Sequence, residues 1–364
     1  MKILFICNKI DKQLRQRVAL LEGNGAQTEI LSLTEYKLTT VDKEVIDLDP
    51  KSPLEFLEDN LSSLRILNRT LKRKKIINQL EYYDLIDIYK NEKTALLLID
   101  NILDKCYGYF VTVGDEEEKS SAVTNYKLKQ LYKKAIFIIF NSQTQQENFP
   151  FKFNDKSEVV RNGIEIFEEI DKIDAQKMMT FANRFDIDRH KNIVYCELVG
   201  SIQDQKELIE EIAALPKERL KQHTFIFTLL SHGVDERKDI KEFLSNKKFD
   251  FLLLDSMLTP PQKAMLLKIS NSAIVLSTDP KYDTLQAVLY AKNLTYIYRV
   301  DALEAVYAHN DIFIERFSHF IDPTQSSYKI ELVDDILEQN SKKIYEIFAP
   351  ENAITNYIEA IKRI

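Results

Sequence analysis

"KSEVVRNGIEIF", residues 156–167, carries an apolar, strand-like run that stops at Arg161-Asn162-Gly163. Asn-Gly behind alternating apolar residues is the strongest short-range signal for a hairpin, because both residues tolerate positive φ. A hairpin needs a returning strand. The continuation, "IEIFEEIDKIDAQKMMTFANRF", places Ile166, Ile170, Ile173 and Met178 at spacings that suit a helix better than a strand. Asn162-Gly163 therefore reads as a turn at which one domain ends, or as part of the lining of an interdomain cleft.

On both sides of that turn one pattern repeats: an apolar run, a helical stretch, another apolar run. Upstream, "KILFIC" (2–7) leads into an amphipathic stretch over 11–22, "GNG" (23–25) ends it, and "QTEILSL" (27–33) follows. "YDLIDIY" (83–89), "YGYFVTV" (107–113) and "AIFIIF" (135–140) continue the series, with helical stretches near 91–104 and 117–133. Downstream come "NIVYCELVG" (192–200), "HTFIFTLL" (223–230), "FDFLLLD" (249–255), "SAIVLST" (272–278) and "LTYIYRV" (294–300). They alternate with helices expected near 203–214, 235–245, 260–269 and 282–292, the third opened by Thr259 as N-cap and by Pro260 and Pro261. Nearly unbroken apolar runs separated by helices mark parallel strands buried on both faces. The pattern predicts an α/β chain of two doubly wound domains, split between Gly163 and Lys191.

Composition bounds the function. A chain of 364 residues exceeds one ordinary core, and 45% apolar with 29% charged residues is typical of a globular protein. No apolar run approaches the roughly 20 residues of a membrane span, and "MKILFIC" lacks the flanks of a signal peptide, so a cytoplasmic location is expected. Cys7, Cys106 and Cys196 lie in or beside apolar runs without metal-type spacing, which reads as buried reduced thiols and no metal site. A net charge of −7 argues against a nucleic-acid partner. Only seven glycines limit where backbone can approach a phosphate closely.

"IIFNSQTQQENF" (138–149) followed by "KSEVVRNGIEIF" resembles the end-of-domain pattern of the family 4 glycosyltransferases. "VYCELVGSIQDQKELIEEIAAL" (194–215) is similar to the segment that opens that family's second domain, "LTPPQKAMLLKISNSAIVLST" (258–278) to its penultimate strand unit, and "DKQLRQRVALLEGNGAQTEIL" (11–31) to its first helix and second strand. The resemblance implies the GT-B architecture: two Rossmann-like domains facing across a cleft, with a final helix crossing back. Its boundaries would be an acceptor-side domain 1–165, a linker 166–190, a nucleotide-sugar-side domain 191–348 and a crossover helix 349–364. The implied activity is transfer of a sugar, with retention, from a nucleotide-diphosphate donor, UDP- or GDP-sugar, to a glycan, lipid-linked or protein acceptor. The only small molecule it would need is that donor; no further cofactor is implied.

Such chemistry needs cations, oriented N–H groups or helix N-termini at the departing diphosphate, and a doubly wound sheet places them in the loops at its strands' carboxyl ends. The resemblance puts Lys206 at the family's diphosphate-binding lysine, beside Gly200 and Ser201; Ser201 replaces an arginine and Glu207 a glycine. A solvated helix-start lysine is the alternative. In "LSTDPKYDTLQAV" (276–288), Thr278 and Gln286 stand where the family has two glutamates, and Asp279 lies beside the first. Asp279 and Gln286 are thus donor-side candidates, although Asp279-Pro280 would also cap a helix. "FVTVGDEEEKSS" (110–121) places Gly114 and Asp115 where many relatives carry a histidine; Asp115 is the catalytic candidate, or else the cap of the acidic helix start that follows. Ser231-His232-Gly233 ends a strand on the donor side, with Gly233 able to approach a nucleotide.

Arg65, Arg69, Lys72 and Arg73 share one face of an expected helix whose other face holds Leu61, Leu64, Leu67 and Leu71. That face reads as an acceptor-side or peripheral dock on anionic lipid at the inner membrane face, as a contact for an acidic partner, or as a solvated surface. The departures at Ser201, Glu207, Thr278 and Gln286 keep a second function open: an inactive GT-B subunit that binds an acceptor or steadies a partner glycosyltransferase.

Overall fold

The computed structural model describes residues 1–7, 10–32, 37–40, 42–47, 83–90, 108–114, 122–151, 153–161, 163–164, 166–229, 234–254, 258–277, 283–299, 303, 305–325 and 332–362. They form two compact units: Met1–Asn162 with Ala353–Ile364, and Gly163–Asn352.

Unit 1 is built on strands β1 (Lys2–Cys7), β2 (Gln27–Ser32), β3 (Lys37–Thr39), β4 (Val45–Asp47), β5 (Leu85–Tyr89), β6 (Tyr109–Thr112), β7 (Phe137–Phe140) and β8 (Ser157–Val159), in the order β4-β3-β2-β1-β5-β6-β7-β8. Neighbours from β2 to β8 are parallel, and β3 and β4 extend one edge antiparallel. Successive residues of β1 from Ile3 to Cys7 are all buried, as expected of a strand covered on both faces. Helix α1 (Lys12–Gly23) starts at Asp11, whose carboxylate accepts the Leu14 N–H at 2.7 Å. It ends near Gly25, whose φ of +83° suits a residue without Cβ. Helices α2 (Ala122–Lys134) and α3 (Gln143–Asn148) complete the described α-helices before residue 162. The carboxyl-terminal helix, Pro350–Lys362, places Tyr357, Ala360 and Ile361 in one core cluster with Ile3, Phe5, Leu14 and Phe110.

Unit 2 has strands β9 (Asn192–Glu197), β10 (His223–Thr228), β11 (Phe251–Leu254), β12 (Ser272–Val275), β13 (Leu294–Ile297) and β14 (Glu315–Arg316). Their order, β11-β10-β9-β12-β13-β14, is parallel throughout and corresponds to the 3-2-1-4-5-6 sheet of a Rossmann fold. Its helices are α4 (Ile166–Asp171), α5 (Ala175–Arg184), α6 (Ile202–Ala213), α7 (Lys217–Gln222), α8 (Val234–Ser245), α9 (Pro260–Ile269), α10 (Thr284–Tyr290), α11 (Ala305–His309), α12 (Phe317–Ile321) and α13 (Val333–Phe348). Thr259 precedes α9 and its N–H donates to Gln262 Oε1 at 2.8 Å, closing the first turn.

The expected linker 166–190 is a correction. Residues 166–184 supply α4 and α5, and Phe167, Ile170, Phe181, Ala182 and Ile187 belong to the core of unit 2 with Ile193 and Tyr195. Of the apolar positions that excluded a hairpin, Ile170 is buried, and Ile166 in α4 and Ile173 between the two helices pack partly buried against this core. Gly163 is needed for close approach: a Cβ there would lie 2.3 Å from Pro350 Cα, within the same unit. Next to it the Ile164 N–H donates to Phe348 O at 3.0 Å.

Among the described residues no helix is long and apolar enough to cross a membrane. Cys7 and Cys196 are buried and outside any disulfide, and burial pushes the Cys196 thiol far up.

Candidate functional site

In an open parallel sheet, ligands bind beyond the carboxyl ends of the strands where the strand order reverses. In unit 2 that point lies between β9 and β12. Glu197, the last residue of β9, sits in register with Val275 of β12 and Thr228 of β10, each also the last of its strand. Its carboxylate accepts from Lys263 Nζ at 2.9 Å (Oε2) and 3.2 Å (Oε1), and from the Thr284 hydroxyl. Strand β9, helix α9 and helix α10 thus converge on one buried carboxylate. A carboxylate taken out of water is tolerable only when paired and hydrogen-bonded, as here. Burial first, and then the charge of Glu197, hold the nearby Tyr195 hydroxyl well above its usual range, so it stays protonated.

Gly200 leaves the strand end with φ +84°, a conformation that favours glycine. Ser201 caps α6: its Oγ accepts the Asp204 N–H at 3.1 Å, and its hydroxyl donates to the Asp204 carboxylate. This helix start is therefore satisfied by its own residues and carries an acid in its first turn. Lys206 turns toward α8, with Nζ 3.6 Å from Asp239 Oδ2 and 5.6 Å from the Phe243 ring centroid. Glu207 pairs with Arg299, just beyond β13, and Arg299 Nη2 lies 3.0 Å from Glu211 Oε1. Gln286 is buried in α10 and donates to the Tyr307 hydroxyl at 2.7 Å.

In unit 1, Gly114 follows β6 and its carbonyl accepts from Gln145 Nε2 at 2.9 Å. Asp115, Gly233, Asp279, Arg65, Arg69, Lys72 and Arg73 lie outside the described residues, as do Thr278, Ser231 and His232. The structure thus brings Gly200 and Ser201 to the strand-end rim of unit 2, turns Lys206 onto a neighbouring helix, and encloses Gln286.

Unit 1 holds a second buried ion pair. Asp87, in the middle of β5, is 0% exposed; Arg17 Nη1 of α1 lies 3.6 Å from its Oδ2 and donates to Thr112 Oγ1 at 3.2 Å. Thr112 donates to Asp87 at 3.0 Å, and Tyr357 of the carboxyl-terminal helix donates at 2.5 Å. The guanidinium lies 4.4 Å from the Tyr357 ring centroid and 5.1 Å from that of Tyr89. Burial pushes the Asp87 carboxyl up, against the pull of Arg17 and the two hydroxyls.

Sequence reasoning passed over Glu197, Lys263 and Thr284. One signal was present: Glu197 interrupts "NIVYCELVG", an apolar run expected to be buried on both faces. Its partners, 66 and 87 residues away, are visible only in three dimensions. Among the described residues no group of three or more histidine, cysteine or acidic side chains could hold a metal ion.

Two Rossmann-like sheets, one wholly parallel and one with a parallel core, give this chain the fold of the GT-B glycosyltransferases. A glycosyltransferase from Rickettsia africae matches with a TM-score of 0.69 at 15% identity, over 100% of this chain and 98% of that one. HepE of Anabaena, solved in complex with UDP and glucose, matches at 0.67 and 16% identity over the whole of both chains. The UDP-GlcNAc 2-epimerase of Neisseria meningitidis, bound to UDP-GlcNAc, matches at 0.55 and 13% identity, again over both whole chains. No family model and no curated protein sequence matches the chain. Likeness at these identities establishes a fold, and function has to be argued from the site.

Proposed function

We propose that this chain is a glycosyltransferase that moves a sugar from a nucleotide-diphosphate donor, a UDP- or GDP-sugar, to a glycan, lipid-linked or protein acceptor with retention. The observation that carries this reading is the charged cluster of Glu197, Lys263 and Thr284 on the last rung of β9 and β12, where this fold receives ligands. HepE, of the same fold, is solved with UDP and with UDP-glucose, which supports the donor class. Gly200 and Ser201 border the proposed donor site, and the reaction proposed is a cytoplasmic one.

A second reading, an inactive subunit that serves a partner transferase, is favoured by one specific observation. Lys206 and Gln286, the residues expected at the donor, are engaged by Asp239 and Tyr307. A thermal-shift series against UDP, GDP, TDP and CMP, alone and as sugar conjugates, tests both. A ligand that binds only the folded state raises the melting temperature by mass action. A shift with one nucleotide, with slow release of that nucleotide from its sugar conjugate, is the outcome expected of a transferase. A shift without release points to the subunit, and no shift at millimolar concentration removes the donor reading.

A further inference from the structure

The cation expected at the diphosphate, Lys206, already has an acidic neighbour on another helix. Lys206 reaches across to Asp239 and Phe243 on α8, and Arg299 is held between Glu207 and Glu211 on α6. Lys263 is placed differently: its ammonium sits against Glu197, on the last rung of the strands that flank the switch point. We infer that Lys263 is the cation that receives the donor diphosphate, with Glu197 as the counter-ion that holds it in readiness until the anion arrives. This assignment rests on the nucleotide-sugar reading above.

Three features of the cluster support it. The lysine is the more open partner, with its side chain 15% exposed against 5% for Glu197. An ammonium has three N–H donors. The two oxygens of Glu197 engage it from one side, which leaves donor capacity for a phosphate oxygen. Finally, the Thr284 hydroxyl also donates to Glu197, so the carboxylate keeps a partner when Lys263 turns part of its donors to the ligand. Charge-assisted contacts of this kind are the strong ones in phosphate recognition.

The counter-ion has a consequence of definite sign. A diphosphate beside Glu197 is repelled by it, so neutralising that carboxylate strengthens anion binding. An ion pair that only supports the fold gives no such gain, since Glu197→Gln then changes nothing that the anion touches.

The test is isothermal titration of the full chain with UDP, GDP, ADP and TDP, each beside its nucleoside, with circular-dichroism melts of every variant. Lys263→Ala is expected to weaken binding of the preferred diphosphate by about tenfold or more while leaving its nucleoside within about twofold. Lys206→Ala is expected to change neither by more than about twofold. Glu197→Gln is expected to tighten diphosphate binding severalfold, and this variant keeps the test open if Lys263→Ala does not fold. A wild-type chain that binds none of the four overturns the nucleotide-sugar reading and this assignment with it. Wild-type binding that Lys263→Ala leaves intact, or that Glu197→Gln does not strengthen, overturns the assignment alone.

Discussion

Among the described residues each unit has a buried carboxylate paired with a cation on a parallel strand, Asp87 in unit 1 and Glu197 in unit 2, and the two pairs differ in where along the strand the acid sits. Asp87 is the middle residue of β5 and is closed in by Arg17, Thr112 and Tyr357, from a helix, a neighbouring strand and the carboxyl-terminal helix. Glu197 is the last residue of β9, and its lysine keeps a margin of exposure. An ion pair sealed in mid-strand can act only on the fold, whereas one at the carboxyl end lies where a ligand can reach it. On the proposed reading the same chemistry is therefore architectural in unit 1 and serves binding in unit 2.

The contrast should be largest in stability. Asp87→Ala strands the buried Arg17 and is expected to cost unit 1 about 3–5 kcal/mol, read from urea unfolding followed by hydrogen exchange at β1 and β5. A loss below about 1 kcal/mol would show that the pair is not sealed as described. Tyr357→Phe removes one hydroxyl donor to Asp87 without creating a cavity, and the expected cost is about 1–3 kcal/mol in the same assay. Glu197→Gln in unit 2 leaves an amide that can still accept from Thr284 and Lys263, and about 1 kcal/mol is expected. If it proved as costly as Asp87→Ala, the distinction between a sealed and an open pair would fail.

The smallest effect concerns pH. Burial, set against a hydrogen bond to the Arg219 carbonyl, pushes His223 below its ordinary 6.5. Below pH 6.5 the unfolded chain then takes up a proton that the folded chain refuses, so this residue's contribution makes stability fall as pH drops through that value. His223→Asn retains a donor for Arg219 and should flatten the slope between about pH 6.5 and 5 by less than one proton. An unchanged slope would mean that His223 titrates normally.

Much of the fold was legible in the sequence. The strands buried on both faces leave apolar runs that no helix period explains, and β1, β9 and β10 fall inside runs read that way. Strand β14, two residues long, carries no period at all. Helices α4 and α5, six and ten residues long with only Lys172, Ile173 and Asp174 between them, have a helical period in the sequence, but stripes this short do not say which domain they join. The site was less legible. Asp87 and Glu197 stand out as acids in apolar strands, yet Tyr357 is 270 residues from Asp87, and Lys263 is 66 residues from Glu197. Family spacing pointed to Lys206 and Gln286, but their surroundings in this chain, Asp239 and Tyr307, are decided by packing.

The most direct measurement is hydrogen–deuterium exchange of the intact chain with and without the nucleoside diphosphate that shifts its melting temperature. Donor binding at the switch point of unit 2 should protect backbone amides over 197–201, 275–277 and 284–286, and leave β1 and β5 unchanged. Protection confined to unit 1, or none at saturating ligand, would contradict it.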